Sequence, residues 1–497
     1  MTGEPLNLVL FFIVVFLSYH LVYPNFRWFV LLAASVFFYC SFKYYYLLFS
    51  IGYVTVVSYF FGIYIKKVDQ ESYKKCALFV IGTILSLVPL LALRYFSVVE
   101  PYFFSLLEII QLDINITKGT ILSALGVSYY TFQALSYMID IHMKDFEPET
   151  HFGYYALYIS FFPKLLQGPI ERAEHLLPQL RSEHEFRFED LRSGIFLIVW
   201  GIFKKMVVAD RIGLFVDAVY GNLNDFRGAP LVLATYLYAA QLYFDFSGYT
   251  DIALGTARTF GINLTQNFNS PYTAKSIADF WRRWHISFSR WILDYIFMPL
   301  NVGLRNLKRY GTAIALIVTF LVSGIWHGAS INFILWGCLH GIFLAISVFY
   351  QPLRMKHINK IWGSRSNVKS AWQMFVTFHM VCFTWIFFRA SSLSDALYIV
   401  NNIFPLSGGT QAKNNVALDY LNVFCLNQDS RDIFLLLFSM LFLVIVGVLN
   451  RKHGGKGVES LIYNKPFWFQ WSVFCALSVS IILFSVTIRN SFIYATF

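Results

Sequence analysis

Charge is what this sequence has least of. Of its 497 residues only 13% are Asp, Glu, Lys or Arg, against about 25% in an ordinary soluble domain. With 57% hydrophobic and 19% aromatic residues and a mean hydropathy of +0.56, too little charge is available to cover a water-facing surface. The apolar residues come in long continuous runs rather than short alternating segments. Lipid admits only helices or closed barrels as spanning structures, and such runs select helices. The expected fold class is therefore an all-α polytopic integral membrane protein. Cysteine is scarce as well. The six (Cys40, Cys76, Cys338, Cys382, Cys425 and Cys475) are scattered, mostly inside apolar runs, and form no CxxC pair. Neither a disulfide framework nor a zinc site is indicated, and the cysteines read as small hydrophobes in helix packing. Also missing are a GxSxG elbow, a Walker loop, an HExxH pair and a dinucleotide-type GxGxxG, so the common catalytic signatures do not apply. No internal repeat and no appended soluble domain is visible.

The charge that is present is mostly basic, with a formal net of +11. In a soluble chain that would raise nucleic acid as a partner. Here the basic residues cluster in short loops between apolar runs, which is the positive-inside pattern together with attraction to anionic headgroups. The first apolar run, Leu6 to about Val22, lacks a basic flank and is followed at once by more apolar sequence; it reads as a first spanning helix rather than a cleaved signal. Trp28–Ser41, Leu47–Ile65 and Ala77–Leu93 follow, and then a shorter run, Val98–Leu112, interrupted by Pro101. An outside N-terminus puts Arg27 and the loop carrying Lys66, Lys67, Lys74 and Lys75 in the cytoplasm.

Ile121–Ile141 is dotted with Ser128, Thr131, Gln133, Ser136 and Asp140 at mixed helical angles, so this helix is expected to face other helices all round. FPKLLQGPIER (Phe162–Arg172) holds two prolines and a glycine and reads as a broken or re-entrant element, tolerated at membrane depth only when protein shields it. The polar stretch within Glu174–Arg192 must lie outside the hydrocarbon. Ser193–Phe203 and Val207–Val219 are apolar runs separated by Lys204-Lys205; Leu231–Thr259 is a long run holding Asp245 and Asp251. Thr312–Ile325, Ile331–Tyr350, Ala371–Phe388, Ile433–Leu449 and Trp468–Thr487 are further spans, with a polar loop over Asn401–Arg431. The total is about eleven to thirteen membrane helices, each needing roughly 20 apolar residues. They form one membrane domain over 1–497: N-terminal helices at 1–115, a motif-bearing core at 120–390, and a C-terminal loop and two helices at 391–497.

Ionisable residues at membrane depth are costly and mark functional sites by default, and they concentrate in Gln241–Gly341. Over Ile277–Tyr295 the spacing predicts one amphipathic helix. Its tryptophans would lie at headgroup level and Arg282, Arg283 and Arg290 on the opposite side. His285 falls at the boundary of the two faces. The helix is either an anchor or a basic face for an anionic substrate. His327 sits in SGIWHGAS between two apolar runs, beside Trp326 and among small residues that open space for an imidazole. A histidine can take a proton from a hydroxyl and return it to a leaving group; the alternative is a structural histidine bonded to a neighbouring helix. His340 is the more structural of the two. Asp245 and Asp251 orient a histidine or bind a hydroxylated substrate, or Arg258 neutralises one of them as a buried pair. Ser247 and Asp251 share one helix face. With a base but no nucleophile of its own, the chain favours direct transfer between two bound substrates.

Seven stretches, in order from about Leu125 to Ala390, carry a resemblance. They are LGVSYYTFQALSYMIDIH, FFPKLLQGPIER, GIFKKMVVADR, LYFDFSGYTDIALGTARTFGI, NFNSPYTAKSIADFWRRWHISFSRWILDYIF, SGIWHGASINFILWGCLHG and WIFFRA. The chain resembles the membrane-bound O-acyltransferases (MBOAT), and within them the AlgI-like group of polysaccharide and peptidoglycan O-acetyltransferases. The DltB-type D-alanine transferases are more distant relatives that share both histidine motifs. The resemblance implies a ring of tilted helices, with re-entrant and interfacial helices, around a central cavity in the bacterial inner membrane. It implies that His327 is the catalytic histidine and His285 a second histidine of the same cavity. It implies acyl transfer, most often of acetyl, from a cytoplasmic thioester such as acetyl-CoA to a hydroxyl acceptor. That acceptor is often an extracytoplasmic SGNH-type partner protein that then modifies a glycan such as alginate. No bound cofactor or metal is expected. Arg282, Arg283, Lys204 and Lys205 would attract the donor's phosphates, and Asp245, Asp251, Trp326 and Gln167 complete the candidate binding residues. The other readings are D-alanyl or other acyl transfer from a carrier protein, and export of a glycan or lipid intermediate. Against export stands the lack of repeated halves with matching broken helices.

Overall fold

Every regular element is helical among the residues that the computed structural model describes: 5–42, 45–68, 72–109, 126–143, 146–353, 366–403, 440–448 and 465–486, with 437, 461 and 462. Six described helical stretches are long and apolar enough to cross a membrane: Tyr46–Lys67, Tyr73–Tyr95, Arg305–His327, Ile331–Tyr350, Asn367–Arg389 and Phe467–Phe484. Asn7–Leu21 and Pro24–Cys40 are shorter apolar helices. Large apolar side chains on these helices stay exposed, such as Phe49, Ile84, Ile346, Phe375 and Ile482. That is the surface a lipid solvent requires. The fold is an all-α polytopic membrane protein. The loop expected over Asn401–Arg431 lies outside the described residues apart from 401–403, whereas residues 437 and 440–448 of the span expected over Ile433–Leu449 are described and helical.

The chain divides into two compact units, one of Met1–Ile198 with Ile252–Gln266, the other of Val199–Asp251 with Asn267–Ile493. The first begins with α1 (Pro5–Leu21), α2 (Arg27–Cys40), α3 (Tyr45–Lys67) and α4 (Tyr73–Ile109). The sequence suggested two runs, Ala77–Leu93 and Val98–Leu112, the second interrupted by Pro101; instead α4 is one helix through both, past that proline to Ile109. Helices in lipid tolerate proline where neighbours satisfy the freed carbonyl. α5 (Val127–Met143) is buried at nearly every position from Val127 to Ile141, as its mixed polar angles predict. Its polar groups are met by neighbours: Tyr130 Oη lies 2.7 Å from Ser50 Oγ of α3. α6 (Phe152–Ser160) gives way to a 3₁₀ turn at Phe162–Lys164, and no helix resumes until α7 (Ala173–Arg181). The break expected in FPKLLQGPIER is there, enclosed by protein. Lys164, itself 2% exposed, donates to Gln133 Oε1 (2.8 Å) and the Tyr158 carbonyl (2.7 Å). After α7, residues 181–189 are almost all exposed.

The second unit is built on a helical run that is not α throughout. α8 (Phe188–Ile202), whose first part belongs to the first unit, continues into a π-helical turn at Phe203–Ala209 and then α9 (Asp210–Gly221). α10 (Ala229–Thr259) packs against this bulge. A Cβ on Gly248 would come within 2.8 Å of the Gly201 carbonyl oxygen and 3.3 Å of the Lys205 nitrogen, so only glycine permits that approach. The short α11 (Ile277–Trp281), α12 (Ile286–Ile292) and α13 (Met298–Gly303) lead to α14 (Lys308–His327) and α15 (Ile331–Leu353). α16 (Ser366–Arg389), α17 (Leu393–Asn402) and α18 (Phe467–Phe484) follow. α14 and α15 form the most intimate pair of the unit. They cross where Gly324 faces Gly337; a Cβ on Gly337 would lie 3.1 Å from Gly324 Cα. Close backbone approach through small residues is how helices pack tightly in lipid. Gly337→Val is expected to lower thermal stability by about 1–3 kcal/mol through overpacking, read as a melting shift in detergent. Gly52→Ala, where nothing lies within 4 Å, is expected to leave it unchanged.

Candidate active site

His327 is the last residue of α14. Gly328 ends the helix in extended backbone, its N–H reaching the Ile325 carbonyl at 3.2 Å. Ser330 opens α15, with Phe333 N–H on its carbonyl at 3.1 Å. Asn332 Nδ2 then ties the start of α15 to the Ala390 carbonyl at the end of α16 (2.8 Å). These bonds hold His327 at 3% exposure in a wall of rings. Trp326, Trp336 and Phe388 have centroids 4.6, 4.9 and 5.1 Å from its own, and Phe288 lies at 6.0 Å.

His285 is 1% exposed and meets Phe246 at 4.7 Å and Phe288 at 5.1 Å. Phe288 and Trp326 stack on each other at 4.4 Å, so one aromatic pair touches both histidines. The structure thus brings His285, Trp326 and His327 into one buried cluster. The helix expected over Ile277–Tyr295 is broken in doing so. His285 takes a left-handed conformation (φ 44°, ψ 55°) between α11 and α12, a region costly to residues with a Cβ. Asn267 supports the turn: its carbonyl accepts Ile286 N–H (2.9 Å), and its Oδ1 accepts Ser287 N–H and Oγ–H (3.1 and 2.7 Å). Trp281, Trp284, Phe288 and Trp291 are buried in the protein interior instead of lying at headgroup level. A 3.6-residue stripe reports a buried face but not what buries it.

The expected cations divide. Arg283 pairs with Asp279 (2.9 Å), whereas Arg282 is exposed and makes no ion pair among the described residues. Burial alone would raise the Asp279 carboxyl, but hydrogen bonds from Arg283 and the Lys275 N–H, with Arg282 nearby, hold it below its usual range. Lys204 and Lys205 face carboxylates rather than a donor's phosphates. Lys204 Nζ lies 2.6 Å from Asp251 Oδ2 and 3.0 Å from Ser247 Oγ, which places Ser247 and Asp251 on one face as their spacing requires. Lys205 Nζ bridges Asp245 and Asp210 at 2.7 Å each. The cations on Asp245 and Asp251 are therefore lysines, where the sequence suggested Arg258. In a π turn residues five apart are aligned, and Lys205 and Asp210 are five apart. Neither Asp210 nor Asn267 stands out in the sequence; each lies inside one of the seven stretches, which is the only signal for either.

His340 is closed on both ring nitrogens. Trp281 Nε1 donates to Nδ1 (3.3 Å), and Nε2 lies 2.9 Å from Thr384 Oγ1, which itself donates to the Val381 carbonyl. An indole N–H only donates, so Nδ1 is the acceptor and Nε2 carries the proton. That is a structural role. Gln167 belongs to the first unit; it is fully buried, and neither amide atom has a hydrogen-bond partner among the described residues.

Two outcomes follow from this geometry. His285→Gly removes the Cβ that makes this backbone costly and is expected to be more stable than His285→Ala by about 1–2 kcal/mol; equal melting temperatures of the two would contradict a strained turn. Lys205→Met leaves two buried carboxylates without their cation and is expected to cost about 3–5 kcal/mol, visible as poor yield and a lowered melting temperature.

The family model described as "MBOAT, membrane-bound O-acyltransferase family" matches residues 148–393, which contain both histidines and the lysine–aspartate network. A peptidoglycan O-acetyltransferase of Helicobacter pylori is 30% identical over 100% of this chain and 97% of its own. A probable alginate O-acetylase AlgI of Pseudomonas aeruginosa is 34% identical over 80% of this chain and 74% of its own. A teichoic acid D-alanyltransferase of Bacillus subtilis is 28% identical over 54% of this chain and 69% of its own. With a likeness that runs the length of both chains, and with both histidine motifs inside the matched region, this polytopic membrane protein is an acyltransferase of the membrane-bound O-acyltransferase family.

Proposed function

We propose that the protein moves an acetyl group from a cytoplasmic thioester, acetyl-CoA, to a hydroxyl acceptor used for O-acetylation of a glycan outside the inner membrane. The observation that carries the reading is the buried pair His327 and His285 on one aromatic wall, in a chain that matches a peptidoglycan O-acetyltransferase over its length. His327 is the general base. It takes the proton of the acceptor hydroxyl as that oxygen attacks the thioester carbonyl; the C–S bond breaks as the tetrahedral adduct collapses, and the proton leaves on the thiol sulfur. The acceptor is a partner protein of the SGNH type, which then esterifies the glycan. A hydroxyl supplied from outside accounts for a chain with no nucleophile motif. Of the cations considered for the donor's phosphates, Arg282 is the one not committed to a carboxylate. Peptidoglycan is favoured over alginate as the glycan because the alginate relative covers 80% of this chain and the peptidoglycan relative all of it.

A second reading, D-alanyl transfer from a carrier protein, is supported by the likeness to a teichoic acid D-alanyltransferase. The test is the O-acetyl ester content of peptidoglycan and secreted glycans in wild-type, deletion and His327→Ala strains, with membrane protein levels matched. Loss of peptidoglycan esters in both mutants is expected, with transfer by His327→Ala down about 10²-fold or more. His20→Ala, whose ring bonds the Thr259 carbonyl, is expected to behave as wild type. Unchanged acetyl esters with lost D-alanyl esters would select the second reading. A His20→Ala defect equal to that of His327→Ala would remove the case for a special site.

A further inference from the structure

The first unit carries a cleft that the acyl-transfer chemistry does not use. It lies between the turn joining α1 to α2 and the segment leaving α7, with Asn25, Arg27, Tyr154, Arg181, Glu183 and His184 among its walls. Its depth in the bilayer can be read from its rim. On the α1–α2 side Leu21, Tyr23, Phe26 and Phe29 are 82, 80, 60 and 58% exposed. On the other side Phe186 and Phe188, interleaved with Glu185, Arg187 and Glu189, are 53 and 63% exposed. Exposed aromatics mixed with exposed charges mark the membrane–water boundary. The cleft opens at the level of lipid headgroups.

Its charges are arranged unevenly. Arg181 is spent: its Nε donates to Glu149 Oε2 at 2.7 Å, a second nitrogen bonds Glu149 Oε1, and its guanidinium rests over the Tyr154 ring. Arg27 is different. Its guanidinium sits over the Tyr19 ring (5.2 Å) and donates through Nη1 to the His184 carbonyl. It has no carboxylate partner among the described residues, and Nε is enclosed with none at all. A guanidinium has five N–H donors in a fork matched to phosphate; this one bonds the His184 carbonyl and the Tyr19 side chain, and its Nε has no partner among the described residues. At the mouth stands an exposed carboxylate, Glu183. An inner cation with an outer anion is the charge order that a phosphodiester headgroup bearing an ammonium would meet.

We propose that this cleft is a glycerophospholipid site, with the headgroup phosphate held by Arg27 and the headgroup amine facing Glu183. The test uses full-length protein purified in detergent and stripped of lipid, with native mass spectrometry counting retained lipid during titration with phosphatidylethanolamine, phosphatidylglycerol or inorganic phosphate. Arg27→Gln is expected to lower occupancy of the first-bound lipid about tenfold, the loss of one charge-assisted bond. Arg27→Lys should restore part of it, and the exposed Arg305→Gln control should match wild type. Glu183→Gln should shift preference from phosphatidylethanolamine toward phosphatidylglycerol. Should Arg27→Gln not fold, Asn25→Asp sets a carboxylate in the same cleft without removing Arg27 and is expected to give the same loss. Lipid retention equal to wild type in the folded variants overturns the site, and displacement of the lipid by equimolar inorganic phosphate assigns it to free phosphate instead.

Discussion

Two lysines buried in a π-helical turn hold the second unit in register. Lys205 reaches Asp245 on α10 and Asp210 on α9, and Lys204 reaches Asp251 on α10. Charges taken out of water stabilise little by themselves, but they permit few alternative arrangements, since any slip leaves a charge uncompensated. The residue after Asp245 is Phe246, whose ring meets His285. A polar lock on one side of α10 therefore sets the position of an aromatic contact on the histidine cluster.

The cluster is held by several weak devices rather than one strong one. Asn267 satisfies the backbone after the left-handed His285, the Gly324–Gly337 crossing sets how near α15 comes to α14, and Asn332 ties α15 to α16. Each fixes backbone rather than side chain. The rings of Phe288, Trp326, Trp336 and Phe388 then fill the space those backbones leave. As the proposed base, His327 would need no rearrangement of these surroundings at the moment of proton transfer.

Much of this was legible in the sequence, and the failures have physical causes. The all-round burial of α5 followed from polar residues at every helical angle, and the interruption in FPKLLQGPIER from its prolines and glycine. The motif residues His285, Trp326 and His327 were singled out and lie together. The continuous helix over Ile277–Tyr295 was not found, because a left-handed histidine leaves no compositional mark of the kind glycine would. Its tryptophans were assigned to the headgroups because periodicity cannot tell a lipid boundary from a protein core. Lys204 and Lys205 were assigned to a donor's phosphates because their partners Asp251 and Asp245 lie forty or more residues away in the chain. A π turn cannot appear in a pattern read at 100° per residue.

That turn gives the chain a tolerance of length at one point that an unbroken α-helix lacks. Relative to an α-helix, Phe203–Ala209 accommodates one extra residue. Deleting one residue between Lys205 and Asp210 would let the segment relax to ordinary α-helix and leave the helices on either side in nearly their present orientation, because the bulge already absorbs the extra residue. Lys205 and Asp210 would become four apart and stay on one helix face, so the lock on α10 would persist in a shorter chain. At this point the identity of the charged residues carries more information than their spacing.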